Sequence, residues 1–293
     1  MACYKIAETA LLDSNRSFSI NQLAELIRSS QNITLLTGAG ISVASGLPVY
    51  RDANGNWVHS KPVEGPAFRA DEKIRQRYWC RSFFGWPAFS QATPNTVHHD
   101  INWIRENHGD STVITQNVDG LHQQCGHNNT IALHGNLSEV ICIECGDLTS
   151  RQFLQTRLEQ CNPDFIKLDA ISAPDGDALI DDKHIQKFKI ADCQRCNGVL
   201  KPNVVFFGDN VPKERVMLCR DRVLQSGVLV CIGTSLMVYS GFRFCRAAHE
   251  ASIPIAIINN GKTRADDMAD FKIEGDCTAN LADLKRALQQ LNT

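Results

Sequence analysis

The chain has 293 residues, 43% of them apolar, which is enough for a sizeable core in one large domain or in a domain with a smaller lobe. Its formal net charge of -2, without any dense run of Lys and Arg, gives no electrostatic basis for binding nucleic acid or an anionic membrane. No apolar run reaches the roughly 18 residues that span a bilayer, so we expect neither a membrane nor nucleic acid as a partner.

The N-terminal residues bear on the compartment. They contain no basic stretch followed by an apolar, cleavable segment, so no secretion signal is expected, and Glu8 and Asp13 disfavour a transit peptide. A reducing cytosol is therefore expected, which means the cytoplasm for a bacterial protein, with the mitochondrial matrix as the alternative for a eukaryotic one. The sequence leaves the oligomeric state open.

Buried β-strands are indicated by short β-branched runs that end in glycine or a polar turn. Amphipathic helical patterns lie between several of them, and this alternation is typical of the α/β class with a doubly wound, mostly parallel sheet. The predicted strands are Ile33–Thr37, Thr112–Thr115, Val204–Phe207, Val228–Ile232 and Ile255–Ile258. The predicted helices are Gln22–Ser30, Val97–Asn107, Lys213–Gln225 and Leu281–Leu291.

A glycine-bearing turn follows the first predicted strand. In GAGIS, residues 38–42, backbone N–H groups and the start of a helix can face a phosphate, because glycine permits close approach. The next glycine is Gly46, which does not fit the usual G-x-G-x-x-G spacing. A tight strand-to-helix turn therefore explains the pattern equally well.

Polar turns also follow the later strands. TQNVDGLH (115–122) carries Gln, Asn and Asp side chains that can hydrogen-bond an amide, a ribose hydroxyl or water, or can simply shape a local turn. GTSL (233–236) and NNG (259–261) follow two further strands. Because the carboxyl ends of parallel strands share one edge, these turns together predict a cleft typical of a dinucleotide site.

His134 lies between a short apolar run and Gly135. Its unperturbed pKa is near neutrality, so it is suited to act as a general base that activates a ribose hydroxyl. A lone histidine is more often a structural residue, and the residues around it leave both interpretations open.

The stretch from Glu139 to Asn203 breaks the alternation of strands and helices. It contains two C-x-x-C pairs and the turn-rich sequence APDGD at 173–177. We interpret it as an inserted lobe, so that residues 1–138 and 204–293 form the large domain and residues 139–203 the small one.

Two C-x-x-C pairs stand out among the twelve cysteines, namely Cys142 with Cys145 and Cys193 with Cys196. Four thiolates at this spacing can close a tetrahedral zinc site and hold together a lobe with few apolar residues. Such a site would be structural, because it leaves no open position for a water molecule; four unliganded thiols are the alternative. The other cysteines are expected to be small buried apolar residues: Cys3, Cys80, Cys125, Cys161, Cys219, Cys231, Cys245 and Cys277.

The order and spacing of these motifs resemble the sirtuins, the NAD-dependent protein deacylases. The resemblance covers about residues 23–288 and rests on GAGIS, SGLPVYR, TQNVDGLH, LHG, CIEC with CQRC, LKPNVVFFGD, GTSLMVYSGFRF and IINNG. Further segments are similar to class II, the branch that includes sirtuin 4: IRQRYW (74–79), FFGWPAFSQATPN (83–95), APDGD and VYSGFRF. The resemblance implies a Rossmann-like large domain with a small inserted zinc-binding lobe, and NAD held between them.

The resemblance also implies roles for individual residues in transferring an acyl group from lysine to ADP-ribose with release of nicotinamide. Catalysis would depend on His134, as general base, and on Asn117. NAD would be held by Gly38, Ala39, Gly40, Ser42, Tyr50, Arg51, Gln116, Asn117, Asp119, His134, Gly233, Thr234, Ser235, Asn259, Gly261 and Cys277. Zinc would be bound by Cys142, Cys145, Cys193 and Cys196. The acyl-lysine protein substrate would contact Val205, Phe206, Phe207, Gly208 and Val238, with its backbone paired to the run that contains the first four.

One position departs from the family pattern. Sirtuins carry G-x-P-D-[FY]-R where this chain has GLPVYR, so Val49 replaces the aspartate of the cofactor loop. This departure supports one alternative, a weakly active NAD-sensing or scaffold protein. Mono-ADP-ribosyl transfer is the alternative among enzymes. A zinc-ribbon nucleic-acid binder is disfavoured by the acidic run at 175–182. The acyl group and the protein targets are left open.

Overall fold

The structure is a computed structural model and describes residues 19–58, 62–126, 129–166, 171–173 and 176–291. The N-terminal residues considered above, Cys3, Glu8 and Asp13, lie outside these ranges. Within them, no helix is both long enough and apolar enough to cross a membrane.

A six-stranded parallel sheet forms the centre of the large domain in the described part of the chain. Its strands are β1 (Ile33–Thr37), β2 (Thr112–Thr115), β3 (Ile131–Ala132), β9 (Val228–Ile232), β10 (Ile255–Asn259) and β11 (Phe271–Glu274). Their order is β11-β10-β9-β1-β2-β3. Every residue of β1, β9 and β10 is buried, which their nearly continuous apolar sequences predict for strands covered on both faces.

Helices cover both faces of this sheet. The described helices are α1 (residues 19–29), α2 (Gly65–Ala70), α3 (Glu72–Ser90), α4 (Thr96–Asn107), α5 (Leu121–Gln124), α6 (Arg151–Cys161), α7 (Asp182–Ile185), α8 (Lys213–Leu224), α9 (Tyr239–Glu250) and α10 (Cys277–Leu291). Leu35 packs into the core shared with α1, α4 and α10, whereas Leu36 packs into the core shared with α8 and α9. The predicted doubly wound arrangement is therefore confirmed, as are the four predicted helices.

The predicted strand Val204–Phe207 is wrong. The strand is β8 (Leu200–Val204), and it pairs antiparallel in the small lobe, not in the parallel sheet. It lies at the edge of a three-stranded sheet. Pro202 is tolerated there because proline lacks a backbone N–H, and one side of an edge strand forms no hydrogen bonds to a neighbouring strand.

The small lobe is built on that antiparallel sheet. Its strands are β4 (Gly135–Cys142), β5 (Leu148–Ser150) and β8, in the order β5-β4-β8. A separate pair of antiparallel strands consists of β6 (Ile171–Ala173) and β7 (Asp177–Leu179). The core of the small lobe also includes Phe68, Trp79 and Phe83 from α2 and α3, packed with Val140 and Leu200. The small lobe thus takes part of its core from a segment far upstream of residue 139, and the boundaries at 138 and 204 stay predictions.

The isolated cysteines agree only partly with expectation. Those confirmed as buried are Cys80, Cys219, Cys231, Cys245 and Cys277. The expectation is wrong for Cys161, which is exposed, and for Cys125, which is half-buried. Each lies at the C-terminal end of a helix, where one side faces solvent.

Candidate cofactor cleft and metal centre

Polar loops follow the strands of the large sheet at its carboxyl edge and are bonded to one another. The loop after β1 contacts the loop after β9, since Gly40 N–H donates to the Gly233 carbonyl oxygen at 2.8 Å. The loop after β2 joins them, because Gln116 Nε2 donates to Thr234 Oγ1 at 2.9 Å. The predicted turns are therefore parts of one continuous edge.

Two glycines allow the first of these loops to pack closely. A Cβ atom on Gly38 would lie 2.6 Å from Thr234 Cβ, and one on Gly40 would lie 2.8 Å from the Gly233 oxygen. Both separations are well inside van der Waals contact, so an alanine at either position requires the backbone to move. Residues Ala39–Ser45 then form a 3-10 helix. The glycines therefore allow the loops after β1 and β9 to pack closely, and the approach of a phosphate stays a prediction.

A partly buried network connects the loops after β1 and β2. Ser42 Oγ donates to Asp119 Oδ2 at 2.7 Å, and Asn117 Nδ2 donates to Ser42 Oγ at 3.1 Å. Leu121 N–H donates to the second oxygen, Asp119 Oδ1, at 3.0 Å. Burial raises the pKa of Asp119, while these hydrogen bonds act in the opposite direction. The bonds fix the Asn117 and Ser42 side chains at the cleft.

His134 is held through both ring nitrogens. Nδ1 lies 2.8 Å from the Gln116 carbonyl oxygen, and Nε2 lies 2.8 Å from Ser240 Oγ. A carbonyl only accepts, so in the neutral ring Nδ1 carries the proton and Ser240 donates to Nε2. Burial lowers the pKa of His134, the carbonyl contact raises it, and the charge of Arg215 lowers it further. The ring therefore favours the neutral, proton-accepting form.

An aromatic cluster forms the other side of the loop after β1. The Trp57 ring centre lies 5.5 Å from that of Phe207, and Tyr50 packs edge-on against both at 6.1 and 6.5 Å. The Arg51 guanidinium stacks 4.1 Å from the Trp57 ring centre and donates to the Gly55 oxygen at 2.6 Å. Arg51 is thus ordered by neighbours within the same loop, and Tyr50 by Trp57 of that loop together with Phe207.

The residues predicted for the adenosine half of NAD follow β9, β10 and β11. Asn259 is buried, and its Nδ2 donates to the Gly261 oxygen at 3.2 Å. Ser235 accepts from Arg264 N–H at 2.9 Å through its carbonyl oxygen, and Cys277 begins α10. These residues share the edge that carries His134 and Asn117, and their hydroxyl, amide and main-chain groups suit a polar dinucleotide.

The residues predicted to contact the substrate lie between the two lobes. Val205 N–H donates to the His134 oxygen, and Gly65 N–H donates to the Phe207 oxygen, both at 2.8 Å. Phe206 is buried against Phe68 and Tyr78 in the small lobe, so its side chain is not free for a ligand. Gly208 adopts a φ of 79°, and Val238 caps the start of α9. For the remaining backbone N–H and C=O groups of residues 205–208, pairing with the substrate backbone stays a prediction.

Four cysteine sulfurs form a cluster with the dimensions of a zinc site. The Sγ atoms of Cys142, Cys145, Cys193 and Cys196 all lie within 4.8 Å of one another, with 3.5 Å between Cys142 and Cys196. Zinc–sulfur bonds of about 2.3 Å place the sulfurs of a tetrahedral site about 3.8 Å apart. The cluster is consistent with zinc.

The two C-x-x-C turns are built alike. Gly146 N–H donates to the Cys142 oxygen at 3.0 Å, and Asn197 N–H donates to the Cys193 oxygen at 2.8 Å. Gly146 and Asn197 have φ values of 73° and 58°, a left-handed conformation that Gly and Asn adopt most readily. Each turn thereby directs its two thiols to the same point.

Sequence reasoning missed two residues of the cleft. No local sequence pattern marks Ser240 as a cleft residue, since a serine early in a helix is ordinarily a capping or surface residue. Trp57 lies in a polar loop, where an aromatic residue has no periodic pattern to place it. Both were recognisable only from their distances to His134 and Arg51, which depend on the folded chain.

Comparisons with known proteins agree with this geometry. The model of the Sir2 family matches residues 38–240. The chain is 45% identical over 269 residues to NAD-dependent protein deacetylase 2 of Bradyrhizobium diazoefficiens, covering 92% of this chain and 98% of the relative. It is 40% identical over 264 residues to the mitochondrial NAD-dependent protein lipoamidase sirtuin-4 of Bos taurus, covering 88% and 83%.

Solved structures show the same likeness. A complex of Sir2 with a p53 peptide and NAD+ superposes with a TM-score of 0.71 at 26% identity, covering 92% of this chain and 98% of that one. A structure of Sir2 bound to an acetylated peptide gives a TM-score of 0.69 at 25% identity, covering 92% and 98%. The family match, these likenesses and the four-cysteine lobe agree, and the chain belongs to the Sir2 family, the sirtuins.

Proposed function

We propose that this chain is an NAD-dependent protein-lysine deacylase that releases nicotinamide and transfers the acyl group to ADP-ribose. The observation that carries the proposal is the His134 ring, fixed by Gln116 and Ser240 at the same sheet edge as the Ser42, Asn117 network. Relatives named as NAD-dependent deacetylases and as a lipoamidase support this reaction class.

The cofactor is held by groups at the carboxyl ends of the large sheet. NAD, when bound, supplies the ribose that accepts the acyl group and the nicotinamide that leaves. Its pyrophosphate would be held by Gly38, Ala39, Gly40 and Ser42, because backbone N–H groups at the start of a helix favour anions. Tyr50 and Arg51 lie toward the nicotinamide end. The ribose and nicotinamide pocket is lined by Gln116, Asn117 and Asp119, and the adenosine half is held by Gly233, Thr234, Ser235, Asn259, Gly261 and Cys277.

His134 acts as the general base. With Nδ1–H donating to the Gln116 carbonyl, the free electron pair is on Nε2, which faces the Ser240 hydroxyl. With NAD bound, Nε2 would take the proton of a ribose hydroxyl, and burial favours this role because it lowers the pKa of the ring and keeps it neutral. Ser240 holds the ring in this orientation until the ribose arrives.

The zinc site has a structural role. Zinc bound by four cysteine ligands would have no open coordination position, so it would organise the small lobe and take no part in proton transfer. The acyl-lysine substrate enters between the small lobe (139–203) and the large domain (1–138 and 204–293). It pairs with the segment that contains Val205, Phe207 and Gly208. The protein works in the cytoplasm if it is bacterial and in the mitochondrial matrix if it is eukaryotic.

Product analysis tests this function directly. Purified protein and NAD are incubated with acetyl-lysine and lipoyl-lysine peptides, and nicotinamide release and peptide mass are measured together. Deacylation gives free lysine, acyl-ADP-ribose and equimolar nicotinamide. Nicotinamide release with a labelled protein and unchanged peptide would establish mono-ADP-ribosyl transfer instead, and NAD binding without nicotinamide release would establish a cofactor sensor.

Val49 is expected to limit the rate. Replacing it with aspartate restores the carboxylate of the sirtuin cofactor loop next to Tyr50 and Arg51, and we expect turnover of an acyl-lysine peptide to rise by about tenfold, or about 1.4 kcal/mol in the barrier. Val58→Asp, on an exposed valine of the same loop, is the matched control and should change little. Equal rates for Val49→Asp and the parent chain would show that Val49 is not limiting.

A further inference from the structure

Two arginines stack on an exposed tyrosine beside the proposed base. Tyr239 is 47% exposed and precedes Ser240, whose Oγ lies 2.8 Å from His134 Nε2. Arg243 Cζ lies 5.0 Å from the centre of the Tyr239 ring, and Arg264 Cζ lies 5.9 Å from it. Two guanidinium groups therefore flank a side chain at the rim of the cleft.

Neither arginine has a carboxylate partner among the residues that the structure describes. Arg264 donates to the Met237 carbonyl oxygen at 3.4 Å, which is a neutral acceptor, and Arg243 Nε is buried without a hydrogen-bond partner. By contrast Arg246, on the same helix, forms an ion pair with Glu250 at 3.1 Å. Arg243 is half-buried, whereas Arg264 is exposed. A partly desolvated cation without a counter-charge is costly, so Arg243 in particular is suited to receive an anion from outside the chain, with Arg264 at the same tyrosine ring as a second donor.

The Arg264 guanidinium is also preorganised by a second aromatic ring. Arg264 stacks on Phe242 at 4.3 Å as well as near Tyr239, and aromatic backing restricts the rotamers that a free arginine samples. Each guanidinium has five N–H donors in a plane, and a carboxylate matches that fork with two parallel hydrogen bonds. A carboxylate side chain is therefore the ligand that this geometry fits best.

We propose that Tyr239, Arg243 and Arg264 form a recognition site for an Asp or Glu residue of the protein substrate, close in its sequence to the acylated lysine. The inference rests on the proposed deacylase function, because it is that reaction which brings a substrate segment past Ser240 and His134. The site gives the enzyme a preference for acidic sequences, which main-chain pairing cannot supply.

The test uses acetyl-lysine peptides that differ only in the residues flanking the lysine, which are Glu, Ala or Lys. We expect kcat/KM to be about tenfold higher for the Glu peptide than for the Ala peptide at low salt, and the advantage to shrink as salt is added. The double variant Arg243→Ala with Arg264→Ala brings the ratio close to one. Arg243→Glu reverses the preference toward the Lys peptide. Arg246→Ala, which removes an arginine already paired, keeps the wild-type ratio.

Two further readouts separate the possible failures. Fluorescence anisotropy of labelled peptides measures the same preference without turnover, so it decides the inference even for a chain that proves inactive. Equal binding of Glu and Ala peptides would overturn the recognition site while leaving the deacylase function intact. A rise in KM for NAD in the double variant, equal for all peptides, would assign the arginines to the cofactor and would also overturn it.

Discussion

Replacing His134 with alanine is expected to lower the turnover of acyl-lysine peptides by about 10²- to 10⁴-fold, the usual contribution of a general base. The imidazole is bonded to both Gln116 and Ser240 at the cleft edge, and its loss removes the proposed proton acceptor for the ribose hydroxyl. Steady-state rates with a fixed acetyl-lysine peptide and saturating NAD measure the effect.

The matched control is His249→Ala, which removes an exposed histidine at the end of α9. It should keep wild-type turnover. Zinc content and thermal stability of both variants show whether the fold is intact. This control is needed because an unfolded chain loses activity whether or not His134 is the general base. A folded His134→Ala variant with near wild-type turnover would remove His134 from the base role.

The pH profile gives a second signature of the same residue. Burial lowers the pKa of His134 from its ordinary value of 6.5, and the neutral ring is the active form. The turnover rate should therefore be at its maximum above pH 6.5 and should fall only as the pH drops through the lowered pKa of His134. This acidic limb should be missing from the residual activity of His134→Ala.

The parallel sheet was predictable because its strands carry their own signal. ITLLT, VLVCI and IAII are nearly continuous apolar runs, and such runs occur where helices cover both faces of a strand. The four-sulfur cluster was predictable from the C-x-x-C pairs for a similar reason, since metal chemistry fixes the residue type and the spacing. In both cases the information is local in the chain.

The prediction failed where contacts over long sequence separations decide the structure. Residues 200–204 form β8 because Lys201 and Pro202 pair with β4, some sixty positions earlier, and a local pattern does not show that pairing. α3 carries Trp79 and Phe83 into the core of the small lobe, although it lies far upstream of that lobe. Ser240 belongs to the cleft only through its bond to His134. Each of these depends on which distant segments meet.

Replacing Cys142 with serine is expected to abolish zinc binding and to unfold the small lobe. Apparent binding free energies of structural zinc are about 10–16 kcal/mol in small zinc modules, comparable to the whole stability of an ordinary domain, about 5–15 kcal/mol. Cys142 is also 1% exposed and packs in the lobe core, so its loss removes a ligand and leaves a buried hydroxyl. Deacylation should fall below detection, and metal analysis should find far less than one zinc per chain.

Cys161→Ser is the matched control, because Cys161 is exposed at the end of α6 and lies outside the four-sulfur cluster. It should keep zinc, stability and turnover. Removing zinc from the parent protein with a chelator should reproduce the Cys142→Ser phenotype, and added zinc should reverse it. One tightly bound zinc per chain together with full turnover in Cys142→Ser would contradict a four-cysteine structural site.

The loss of structure in Cys142→Ser should be confined to the small lobe and to the residues of α2 and α3 that pack in its core, a region larger than residues 139–203. The two cores of the large sheet contain no residue of the small lobe in the described chain, so NAD binding and the parallel sheet should survive in Cys142→Ser. Phe68, Trp79 and Phe83 pack in the same core as Cys142 and should lose their support with it. Limited proteolysis should therefore cut both within 139–203 and within α3, since a helix whose apolar face has lost its partner is not stable alone. Cleavage confined to 139–203 would show that α3 folds with the large domain instead.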